Sequence, residues 1–126
     1  MRPRTSLCEQ SSIHYSGRRR HAHETLGRVV NGLTGALEYI ESGSDVQIIF
    51  DGAGTQSAAE FAKPDHKYDE LLEKLRERIS GVCSYCAGAL KVRDKIEAAK
   101  LPLNDQFKGH PSFKQLIDQG FDMLTF

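Results

Sequence analysis

Apolar residues recur at helical spacing from Leu26 through Val29, Val30, Leu33, Leu37 and Ile40, and Ser42-Gly43-Ser44 closes that stretch. A helix face repeats every three or four residues, so the spacing predicts an amphipathic helix beginning near Glu24. The pattern then switches to a β-branched run, Val46-Gln47-Ile48-Ile49-Phe50, which predicts a buried strand. That strand passes into a glycine-rich turn, Asp51-Gly52-Ala53-Gly54-Thr55. A short helix is expected over Gln56–Ala62, broken by Pro64-Asp65. A second amphipathic helix is expected over Tyr68–Ile79, with Leu71, Leu72, Leu75 and Ile79 inward and a charged, solvated opposite face.

Residues 80–86 read as the next strand and carry two thiols, in Gly81-Val82-Cys83-Ser84-Tyr85-Cys86. Ala87–Ala99 reads as one helix with Leu90, Val92 and Ile96 inward. A weak strand or extended loop follows over Leu103–Phe107, then a turn at Gly109-His110-Pro111. Ser112 is a suitable cap for a helix over Phe113–Gln119, which Gly120 stops. Phe121–Phe126 alternates and reads as the last strand. Strands alternating with helices imply a three-layer α/β domain with a mainly parallel sheet, in which Val46–Phe50, Val82–Tyr85 and Asp122–Thr125 are the parallel core strands. Such sheets bind ligands beyond the carboxyl ends of their strands. The junctions at residues 51–55 and 83–88 both lie at such ends.

The first twenty residues lack this order. They are polar and crowded with Arg2, Arg4, Arg18, Arg19 and Arg20, and only Ile13 and Tyr15 hint at a strand. Residues 1–20 are therefore set apart as a basic segment with a weak or missing first strand, ahead of a domain over 21–126. Residues 1–10 are expected to be disordered and dispensable, because they show no apolar pattern. A poor first strand leaves apolar surface uncovered, which favours a homo-oligomer.

Charge adds a constraint. Lys+Arg and Asp+Glu both number 17, giving zero net charge, so no global field points to nucleic acid or a membrane. No aromatic residues interleave with the N-terminal arginines, which disfavours a nucleic-acid partner. No apolar stretch reaches the roughly 20 residues of a membrane-spanning helix, and the N-terminus has no apolar core of a secretory signal. Three cysteines make no disulfide framework. In that setting a Cys-x-x-Cys reads as redox, sulfur-transfer or metal chemistry, and the expected compartment is the cytoplasm.

Cys83 and Cys86 are the leading candidates for chemistry. Cys86 lies nearest the expected helix start, where unpaired amides and the helix dipole favour a thiolate, whereas burial in the strand would raise the pKa of Cys83. Cys86 is therefore expected to be the more reactive. Three readings compete: thiol redox or sulfur carriage, a metal site, and two buried structural cysteines. A closed zinc site needs four ligands, and His21, His23, His110 and Cys8 complete one only if the fold gathers them. Asp51, Gly52, Gly54 and Thr55 form either an anion-binding turn or a plain strand-to-helix turn whose glycines relieve strain, the latter being favoured. The turn lacks the lysine of a phosphate-binding loop and the third glycine of a dinucleotide fingerprint, so no cofactor is expected. Asp51 suits a site carboxylate or an N-cap. His110 sits in a loop able to approach the cysteines, Tyr85 is expected to pack rather than react, and His66 reads as loop surface.

Taken together, Phe50-Asp51-Gly52-Ala53-Gly54-Thr55, Gly81-Val82-Cys83-Ser84-Tyr85-Cys86-Ala87-Gly88-Ala89, Gly109-His110-Pro111-Ser112 and the terminal Leu124-Thr125-Phe126 resemble the DsrE/DsrF-like family of small sulfur-relay proteins, over about residues 21–126. The resemblance implies a flavodoxin-like fold, homo-oligomers and, in some members, a persulfide-carrying cysteine. The family's sulfur-carrying thiol precedes small residues, then Ala-Leu and basic residues. Cys86-Ala87-Gly88-Ala89-Leu90-Lys91 matches that register, so the resemblance assigns the role to Cys86 and leaves Cys83 as a resolving thiol. The implied function is sulfur carriage by persulfide exchange with donor and acceptor proteins. The alternatives are a non-catalytic oligomeric module that binds a small anion or a partner, and a metal-binding protein. The departure from the family is the missing apolar first strand.

Overall fold

Val46, Ile48 and Phe50 alternate along β2 (Asp45–Phe50) and are all buried in the computed structural model, which describes residues 4–9 and 20–126. They meet the buried face of α1 (Arg20–Glu41), where Val29, Leu33 and Ala36 are sealed from solvent. The same core takes Ala58 and Phe61 from α2 (Gly54–Phe61), Leu72 and Leu75 from α3 (Asp69–Leu75), and Val82 from β3 (Ile79–Cys83). It also takes Ala87 from α4 (Ser84–Ala89) and Ile96 from α5 (Arg93–Ala98).

A parallel sheet carries these helices. With β1 (Arg4–Glu9), β4 (Leu103–Asn104) and β5 (Asp122–Thr125), its order is β4-β3-β2-β1-β5, and every pairing is parallel. This order differs from the 2-1-3-4-5 order of flavodoxin-like sheets. Chain direction explains where the helices lie. From β1 to β4 the chain steps steadily one way, and right-handed crossovers then put the connecting helices on one face. The step from β4 across to β5 reverses direction, so α6 (Phe113–Asp118) falls on the other face. There Leu116 and Phe121 form a separate small cluster with Ile49.

The mixed α/β plan and its parallel sheet agree with the sequence pattern, and several boundaries differ. The first strand is the largest departure. Arg4–Glu9, within the stretch expected to be disordered, is an interior strand that pairs with both β2 and β5. Backbone amides pair whatever the side chains are, so a weak apolar pattern does not forbid a strand flanked on both sides. The strand hinted at by Ile13 and Tyr15 lies outside the described residues. The third strand begins at Ile79 and ends at Cys83, so Ile79 belongs to a strand, while Ser84, Tyr85 and Cys86 are helical.

The helix expected over Ala87–Ala99 is two helices. Lys91 adopts a left-handed φ of 59°, Lys91 N–H donates to Gly88 C=O and Val92 N–H to Ala87 C=O. That pair of bonds is the Schellman ending, here built on lysine instead of glycine. Ser112 caps α6 as expected, its Oγ accepting from Gln115 N–H at 3.3 Å.

Among the described residues, no helix is long and apolar enough to cross a membrane.

Candidate functional site

Asp51 follows β2 directly, and its turn is held by its own atoms. Gly52 N–H donates to Asp51 Oδ1 at 2.8 Å, Gly54 N–H to Asp51 C=O at 2.9 Å, and the Thr55 hydroxyl to Gly52 C=O at 2.8 Å. Gly52 has a φ of 53°, a left-handed conformation that costs a residue with a Cβ and favours glycine. Gly52, Gly54 and Thr55 thus act as scaffold, and Thr55 is fully buried. The turn's contribution to the site is the Asp51 carboxylate.

One strand away, β3 ends at Cys83, which is the N-cap of α4. Its Sγ accepts the Cys86 N–H at 3.5 Å. The helix-start amide therefore serves Cys83, and Cys86 sits one turn inside the helix with its Sγ donating to Asp51 Oδ1 at 3.1 Å. This reverses the expected electrostatics of Cys86. Burial, the Cys83 thiol and the Asp51 carboxylate together push its pKa up to about 12, against a lowering contribution from the Gly52 N–H. Cys83 is also raised, first by burial, with the Cys86 backbone N–H working in the opposite direction. Cys83 is 0% exposed, and Cys86 is half-buried.

The fourth group arrives from far along the chain. Phe107 and His110 exchange backbone hydrogen bonds of 2.7 and 2.8 Å around Lys108 (φ 49°) and Gly109 (φ 86°). Two successive positive φ angles identify a type I′ turn, for which glycine is the favoured second residue. Tyr85 N–H donates to Gly109 C=O at 2.9 Å, and the Tyr85 ring lies 4.8 Å from the His110 ring. Docked this way, the turn sets His110 Nδ1 3.2 Å from Cys83 Sγ. Tyr85 packs as expected, although it is 61% exposed.

One ligand atom from each of Asp51, Cys83, Cys86 and His110 lies within 4.8 Å of every other. The structure therefore gathers four of the residues named from sequence. The Gly109 carbonyl was not anticipated, and only its place beside His110 in the sequence pointed to it. His66 belongs elsewhere: it stacks on Phe61 with ring centroids 5.1 Å apart and its Nδ1 accepts from Tyr68 N–H. The side chains of Cys8, His21 and His23 lie outside the described residues.

Over 89 residues the chain is 30% identical to the uncharacterized protein MJ0733 of Methanocaldococcus jannaschii, a match spanning 71% of this chain and 72% of that protein. The chain belongs to the family of that protein. No family model matches it, and no solved structure does. The relative's name carries no activity, so the functional reading rests on the site.

Proposed function

We propose that this is a DsrE/DsrF-like protein that carries sulfane sulfur on Cys86 by persulfide exchange. In this reading it is flavodoxin-like in general plan and works in the cytoplasm as a homo-oligomer with sulfur donor and acceptor proteins. The observation that carries the reading is the layered thiol pair: a half-buried Cys86 hydrogen-bonded to a carboxylate at 3.1 Å, above a buried second thiol.

Loading follows thiol exchange chemistry. Cys86 Sγ attacks the terminal sulfur of a donor persulfide, R–S–SH, and passes its proton to Asp51 Oδ1. The donor S–S bond breaks, R–S⁻ leaves with the bonding electrons and is protonated, and Cys86 holds –S–SH. A high pKa leaves little thiolate at neutral pH, but a high-pKa sulfur is intrinsically the stronger nucleophile, which offsets part of the loss. For discharge, Cys83 Sγ attacks Cys86 Sγ and gives its proton to His110 Nδ1. The persulfide bond breaks, HS⁻ leaves with its electron pair, and a Cys83–Cys86 disulfide forms, to be reduced by an external dithiol.

The test is intact mass after incubation with a small-molecule persulfide donor. Cys83→Ser is expected to gain and keep the mass of one sulfur, wild type to gain it or, after discharge, to lose two hydrogens as the disulfide, and Cys86→Ser to do neither. Loading that survives Cys86→Ser, or that is absent from Cys83→Ser, overturns the reading.

A further inference from the structure

We infer that Asp51, Cys83, Cys86 and His110 form a mononuclear site for a thiophilic divalent cation of the zinc class. This goes beyond sulfur carriage and does not depend on it. The argument is geometric. Two sulfurs, an imidazole nitrogen and a carboxylate oxygen come from three separate segments, and all lie within 4.8 Å of one another. Zinc bonds of about 2.0–2.3 Å to such donors put neighbouring ligand atoms of a tetrahedron roughly 3.3–3.8 Å apart. The contacts here of 3.1 Å (Cys86 Sγ to Asp51 Oδ1) and 3.2 Å (Cys83 Sγ to His110 Nδ1) need to open by only a few tenths of an ångström. A Cys₂HisAsp set combines two soft thiolates and a borderline imidazole with a single hard carboxylate, and the thiolates select zinc over magnesium or calcium.

The supporting shell is present as well. Gly52 N–H holds Asp51 Oδ1 at 2.8 Å, and the Tyr85 ring braces the His110 imidazole. Such outer contacts orient ligands before the ion arrives. Binding displaces both thiol protons, which leave to solvent, and the two thiolates and the carboxylate then balance the ion's charge to a net of minus one. Because both sulfurs become ligands, metal occupancy and sulfur loading exclude each other, and the ion caps the dithiol.

The experiment titrates reduced, chelator-stripped protein with cobalt(II) alone, then displaces it with zinc(II). We expect one ion per chain, with the intense visible bands of tetrahedral cobalt and a sulfur-to-cobalt charge-transfer band that zinc abolishes. His110→Ala and Asp51→Asn, checked for intact fold by circular dichroism, are each expected to weaken binding roughly tenfold or more, as Cys83→Ser and Cys86→Ser remove charge-transfer intensity. Zinc is also expected to protect Cys86 from alkylation. A pale octahedral cobalt spectrum in wild type, or full affinity in both His110→Ala and Asp51→Asn, overturns the site. Persulfide loading is measured on metal-free protein, so its failure alongside tetrahedral cobalt sinks only the carrier reading, and the converse result sinks only this one.

Discussion

The two strand-to-helix junctions that meet at the site are held in different ways. The β2 junction sets its own backbone: Asp51, Gly52 and Thr55 bond to one another within five residues. The β3 junction has a local bond from Cys86 N–H to Cys83 Sγ, reaches Asp51 through the Cys86 thiol, and leans on the distant turn at 107–110 through Tyr85 and His110. The carboxylate is thus placed by local geometry and the imidazole by docking. Of the four donors, His110 is the one whose position depends on a contact that local sequence does not supply.

The largest expected effect tests the floor that both junctions share. Phe50 ends β2, pairs with Val82 of β3 and is fully buried. Phe50→Ala should lower unfolding stability by about 3–5 kcal/mol, as truncations of buried aromatics do, read from urea denaturation. A loss under about 1 kcal/mol would show that the junctions do not rest on a common core.

The next contrast separates the junctions. Gly109→Ala, at a φ of 86°, and Gly52→Ala, at 53°, should each cost about 1–2 kcal/mol, because a Cβ is disfavoured in left-handed backbone. Their effects on the thiols should differ. Gly109→Ala should release His110 and speed alkylation of Cys83, while Gly52→Ala should disturb Cys86 through Asp51. Peptide mapping after limiting iodoacetamide checks this, and identical labelling patterns would erase the distinction.

The smallest effect is a pH dependence. Both thiols have folded-state pKa values above the ordinary value of 9.0, Cys86 at about 12. The folded chain therefore holds these protons more tightly than the unfolded chain does. Their contribution is complete below pH 9, falls as pH rises beyond it, and for Cys86 is spent near pH 12. Urea midpoints of metal-free, reduced protein should decline over that window, less steeply in Cys86→Ser. A midpoint that climbs with pH would invert the assignment.

Much of the fold was legible because hydrophobic periodicity reports which face of an element is buried. The buried alternation of Val46, Ile48 and Phe50 and the helical spacing of Val29 and Leu33 are such cases. Helix endings show where legibility stops. The helices that end at Gly43 and Gly120 and those that end at Lys91 and Lys100 all close with the same pair of backbone bonds around a left-handed residue. Glycine announces that conformation and lysine does not, so the break between α4 and α5 was invisible. β1 was hidden for a related reason, since pairing on both sides draws on backbone groups that every residue but proline carries.

The sequence by itself determined the alternation of strands and helices, the placing of two glycine-bearing junctions at strand ends, and the presence of two thiols three residues apart. Tertiary structure decided that Cys83, not Cys86, takes the helix-start amide, that Asp51 faces Cys86, and that His110 closes the cluster. The physical reason is range. Periodicity and turn chemistry act over a few residues, whereas the charge environment of a thiol depends on every group within a few ångströms. In this chain those groups come from segments as far apart in sequence as Asp51 and His110.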